Sequence, residues 1–144
     1  MSRIINPDSA GKEREQLTKA VVLAIREMVK QKEPDEESYD LAAFIALALD
    51  LISETIDISV TAWEKRDYWL KADKFRMEWA WSGQYAQKMK RALFSEDWAG
   101  IAMVTAQVAQ KLKKVNVPLR HRLGKPWMGA WTELQKKMVF SKTT

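Results

Sequence analysis

The chain has 144 residues, 47% hydrophobic and 30% charged, with a net charge of +5 and no cysteine. That length suits a single domain able to bury its own core. The composition excludes a disordered chain, and the lack of cysteine excludes disulfides, thiolate zinc sites and thiol nucleophiles.

Five Gly, four Pro and no regular alternation of apolar and polar residues point to an all-α fold. The predicted architecture is a bundle of about five helices spanning 1–144, with the 41–63 helix central and residues 1–7 and 141–144 frayed. Charge is laid out in blocks. Residues 34–64 carry eight acidic and no basic residues, whereas 65–94 are net +5 and 95–144 net +6. An acidic block enclosed by basic ones implies complementarity between packed helices and a C-terminal half able to attract polyanions. The polar start and the absence of an apolar run of spanning length predict a cytoplasmic protein with no membrane segment.

A first helix is predicted from an N-cap at Asp8 or Ser9 to about Gln31, with Leu17, Val21, Ala24 and Met28 on one stripe. Pro34 interrupts it and Asp35 caps the next helix. This second helix starts near Glu36, its first turns rich in acid as the dipole favours. From Leu41 to Trp63 it is apolar around most of its girth. The stretch from Leu41 to Leu93 has no breaker before Gly83, yet as one rod it would be about 80 Å long. A bend is therefore predicted between Ile56 and Asp67, with Asp67 the preferred cap of a third helix; whether 36–93 forms one bent helix or two stays open.

The third helix, to about Leu93, shows two apolar faces: one with Ala72, Phe75, Trp79 and Met89, the other with Leu70, Met77, Trp81 and Tyr85. Ser95 is predicted to cap a fourth helix closed by Lys111, Lys113 and Lys114. A loop comes next, over Asn116 to Lys125. Pro126 suits the first position of a last helix with Trp127, Trp131, Leu134 and Met138 on its face.

Three features can carry chemistry. Asp50, Glu54 and Asp57 project from one helical face over two turns. Such a stripe either holds a hard divalent cation or pairs with Lys and Arg of a neighbouring helix, and pairing is the expectation. Arg120, His121, Arg122 and Lys125 form a basic loop suited to phosphate, helped by backbone N–H groups at the start of the last helix; the plainer account is a solvated loop. Third, aromatics alternate with Lys65, Arg66, Lys71, Lys74 and Arg76 between Trp63 and Trp81. Phe75 and Trp79 are assigned to the core, while Trp69, Met77, Trp81 and Tyr85 are candidates for an interface. Seven Trp favour a gripping surface, since tryptophan concentrates where proteins hold one another.

No Gly-rich phosphate loop, nucleophile elbow or His-Glu-x-x-His site is present, and no cofactor is called for. The leading expectation is a non-enzymatic helical module that binds a protein partner or its own copies. A nucleic-acid-binding accessory protein is second, and a metal-dependent phosphohydrolase using Asp50, Glu54 and Asp57 third.

Overall fold

The computed structural model describes residues 7–143, with side chains from 9 to 138. The described residues fold into five helices: α1 (Pro7–Lys30), α2 (Glu36–Lys65), α3 (Trp69–Phe94), α4 (Trp98–Lys111) and α5 (Ala130–Thr143). Of the segments expected to fray, residues 1–6 and 144 lie outside the described residues, whereas Pro7 already belongs to α1 and residues 141–143 continue α5 as helix.

α2 is the axis. Its 30 residues make a rod of about 45 Å, against which α1, α3 and α5 all pack, while α4 lies on α3 and more lightly on α1. Between Leu41 and Leu49 every residue except Phe44 is buried. Leu41, Ile45, Leu49 and Ile52 lose essentially all contact with solvent. Truncating any one of them to Ala costs about 2–5 kcal/mol. The main core joins these to Val21 and Ala24 of α1, Met89 and Leu93 of α3, Ile101 and Val108 of α4, and Trp127 and Leu134. A satellite cluster of Ile56, Val60 and Ala72, edged by Trp63, Phe75 and Trp79, sits under the α2–α3 corner.

The break at Pro34 is as expected. Asp35 accepts from the Ser38 N–H at 2.9 Å and Ser38 Oγ accepts from the Asp35 N–H at 3.2 Å, a reciprocal capping box. Residues 36–93 form two helices, and the corner between them differs from expectation. Asp67 does not cap α3; it takes φ 63° one residue past Arg66, the C-cap of α2. Its N–H bonds to Glu64 O at 3.0 Å, and the Tyr68 N–H bonds to Trp63 O at 2.9 Å. This 6→1 and 5→2 pair is a Schellman closure, in which the left-handed residue closes one helix instead of opening the next.

The α3–α4 corner repeats the device. Glu96 has φ 53°, its N–H bonds to Leu93 O at 3.1 Å and that of Asp97 to Ala92 O at 2.9 Å. Ser95 is consequently still part of the α3 end, and Asp97 caps α4 by accepting from the Gly100 N–H at 2.9 Å.

Two glycines matter to the packing. A Cβ at Gly83 would lie 3.2 Å from Ser53 Oγ, so its absence lets α2 and α3 approach. Gly129, at φ 81°, turns the chain into α5. The last helix therefore begins at Ala130, and Pro126 opens a turn ahead of it. Trp127 is buried from that turn, not from the helix.

Candidate interaction surfaces

The carboxylate stripe faces outward beside α3. Asp50 Oδ2 is paired with Lys90 Nζ, a side chain only 16% exposed. Glu54 and Asp57 are exposed, and no cation pairs with either among the described residues. Nor does any group of three His, Asp or Glu side chains there stand close enough to hold a metal. The reason is geometric: helical spacing places three acids on one stripe, but a metal needs ligands converging from several elements, and the neighbouring helix offers Lys90 instead.

Around the basic loop, Arg120, Arg122 and Lys125 are exposed and His121 half-buried. His121 Nδ1 accepts from the Leu123 N–H at 3.2 Å. Lys125 lies 4.0 Å from Glu37. The backbone is pinned from below: Arg26 donates to Val117 O at 2.5 Å and Pro118 O at 3.5 Å, and Val117 and Trp127 are buried. One expectation is corrected. The N–H groups at the start of α5 are not free for phosphate, because Asp40 of α2 accepts from Gly129 N–H at 3.2 Å and Trp131 N–H at 3.0 Å. An internal carboxylate already holds the positive end of the helix dipole.

The aromatic segment divides. Trp81 belongs to the core, 9% exposed and stacked on Trp79 with ring centroids 5.6 Å apart. Half-buried Tyr85 lies 5.8 Å from it. The interface expected of these two is therefore withdrawn into the bundle. Phe75 and Trp79 are half-buried at the edge of the satellite cluster. Tyr68, Trp69, Leu70 and Met77 are exposed, Leu70 and Met77 by more than two thirds. Among the surrounding cations, Arg76 is bound to Glu64 at 2.9 Å and Asp73 at 2.6 Å, hydrogen bonds that raise its affinity for its proton. Lys71 Nζ sits 4.5 Å from the Trp63 ring centroid.

Arg14 is a tie that the amphipathic pattern of the first helix hides. Its guanidinium donates to Thr55 O, Thr55 Oγ1 and Ser59 Oγ at 3.3–3.4 Å and lies 4.8 Å from the Phe75 ring. It joins α1, α2 and α3, and burial lowers its pKa.

A further surface corresponds to no sequence motif. A groove of about 450 Å³ runs between the C-terminal half of α1, the turn after it and α4, lined by Met28, Val29, Pro34, Trp98, Ala102 and Ala106. Ala102, Met103 and Ala106 are exposed along α4, and Val29 is 77% exposed on the opposite wall. The sequence did hold a signal. In a chain that is 30% charged, the thirteen residues from Trp98 to Gln110 carry no charge at all. A helix with a buried face needs polar residues on the other face only if that other face meets water.

No protein family, no curated protein and no solved structure matches this chain. No described helix is long and apolar enough to cross a membrane.

Proposed function

We propose that this chain is a non-enzymatic helical interaction module whose docking surface is the α1–α4 groove. The observation that carries the reading is the exposed wall of α4: Ile101, Val104, Thr105 and Val108 are buried on one side, while Ala102 and Ala106 on the other are uncharged and open. A contiguous apolar surface of this kind lowers its free energy by being covered, at about 25 cal/mol per Å². The small side chains of Ala102 and Ala106 allow a partner to come close.

The test is affinity capture from the source cells with the wild-type chain and with Ala106→Lys. A protein held by the wild type and lost with Ala106→Lys, but retained by the distant surface variant Gln84→Lys, supports the reading. Capture indifferent to Ala106→Lys counts against it.

A second reading is favoured by a separate observation. Residues 111–125 carry six Lys and Arg and no Asp or Glu, on a ribbon tied down by Arg26, Val117 and Trp127. Fixed cations of one sign suit a nucleic-acid backbone. Binding to a generic oligonucleotide is then salt-dependent. Replacing Arg120, Arg122 and Lys125 by Glu lowers the slope of log K against log salt by about two to three; an unchanged slope removes the loop from that role.

A further inference from the structure

We infer that the ribbon from Lys111 to Met128 docks on an anionic lipid bilayer, resting at its surface without spanning it. This goes beyond the α1–α4 groove and does not depend on it. Cations alone would serve a lipid headgroup or a nucleic-acid backbone equally well. The apolar side chains set among them separate the two.

Residues 111–128 hold six Lys and Arg and no Asp or Glu, and all six cations are exposed. Among the described residues only Lys125 of the six meets a carboxylate, Glu37 at 4.0 Å. The excess survives a wider count. Arg26, Glu37 and Asp40 join the ribbon and the turn after it to residues 25–40. With every charge of 25–40 and of 111–138 included, eleven Lys and Arg stand against seven Asp and Glu. Four of those acids fall within residues 33–37, at the Lys125 end of the ribbon. A positive surface of this kind is drawn to anionic headgroups.

Between the cations stand side chains that water does not favour. Leu119 is 89% exposed and Met128 65%, with Leu123 also open to solvent. None of the three belongs to a core cluster. The acyl boundary of a bilayer takes up such side chains while neighbouring Lys and Arg reach back to the headgroups. A strand of nucleic acid is gripped instead by aromatic rings on which bases stack. The ribbon's one tryptophan, Trp127, is buried, and it holds no Phe or Tyr.

The ribbon is also fixed before it docks. Arg26 donates to the carbonyls of Val117 and Pro118, Val117 is buried, and His121 Nδ1 accepts from the Leu123 N–H. A segment already held in shape loses little conformational freedom on binding.

The experiment is cosedimentation of the full chain with vesicles at increasing salt. Vesicles of roughly three parts phosphatidylcholine to one of phosphatidylserine should carry wild type down, and vesicles of phosphatidylcholine alone should not. Salt should release the bound chain. Replacing both Arg120 and Arg122 by Gln should weaken partition about 25-fold, at about fivefold for each cation. Leu119→Ser should weaken it about tenfold, with the salt dependence unchanged. Lys65→Gln, exposed at the far end of α2, should bind like wild type. All these positions are exposed, so each variant should keep wild-type helicity. Should Leu119→Ser lose it, Met128→Ser takes its place with the same expected result.

A wild type that ignores anionic vesicles, or binds the neutral ones as well, overturns the inference. So does either ribbon variant partitioning like wild type, or Lys65→Gln falling as far as they do. If wild type binds a generic oligonucleotide at a salt concentration that keeps it off the anionic vesicles, the ribbon serves nucleic acid and the inference falls. None of these outcomes touches the groove reading.

Discussion

Asp40 Oδ1 accepts the backbone N–H of Trp131 at 3.0 Å across 91 residues of sequence. An acid on the second turn of α2 thus does for α5 what an N-cap side chain does for its own helix. Asp40→Ala should leave two donors at a half-buried helix start without that acceptor and cost about 1–2 kcal/mol. A thermal melt should show this as a fall of about 2–6 °C. Amide exchange should accelerate at Gly129 and Trp131 before it does in α2. Uniform acceleration throughout would mean that Asp40 does not act through α5.

The acid stripe should respond unequally. Asp50→Ala strands Lys90, a side chain 16% exposed, and should destabilise by about 1–3 kcal/mol. Glu54→Ala and Asp57→Ala touch exposed carboxylates that meet no cation among the described residues and should fall within about 0.5 kcal/mol of wild type. Denaturant titration of the three variants checks this, and equal costs would contradict the pairing described.

Tyr39 donates to Glu96 Oε1 at 2.7 Å. That hydrogen bond, followed by desolvation and the negative charge of Glu96, raises the phenol above its usual pKa. The folded state then holds this proton more tightly than the unfolded chain does. The contribution to stability is fully present below about pH 10 and is lost as pH rises through the folded-state pKa. Ultraviolet titration of tyrosinate should show Tyr39 ionising late in wild type and earlier in Glu96→Ala, which removes both the hydrogen bond and the negative charge.

Trp127 is buried, and its indole N–H finds no acceptor among the described residues. Trp127→Phe should therefore be mild, about 1 kcal/mol or less, since losing an unsatisfied donor offsets the loss of volume. Trp127→Ala opens the core and should cost about 3–5 kcal/mol. A large penalty for Phe would show that the N–H is bonded in solution.

At the α2–α3 corner, Asp67 takes a left-handed conformation that costs an L-residue conformational energy which glycine avoids. Asp67→Gly should stabilise by about 0.5–1 kcal/mol, and Asp67→Val should destabilise by about 1–2 kcal/mol. Chemical denaturation with both variants tests the Schellman closure directly; the opposite order would rule it out.

The helical class, the greasy axis from Leu41 to Trp63 and the stop at Pro34 with its Asp35 cap were all determined by the sequence. Each depends on residues within a few turns of one another: spacing, propensity and a cap three residues from its acceptor. The corners were nearly legible, and erred by one or two residues. A short polar residue suits both the start of one helix and the left-handed end of another, and only the backbone path tells them apart.

What the tertiary structure decided is which side chains meet. Asp40 and Gly129, Asp50 and Lys90, Arg26 and the Val117 carbonyl are brought together by the rotation and register of packed helices, which no local pattern encodes. The same register turned Trp81 inward while leaving Trp69 at the surface, although both looked equally free of the main stripe. The open wall of α4 was written in the sequence as a stretch without charge, but only packing could show that one flank of it lies uncovered.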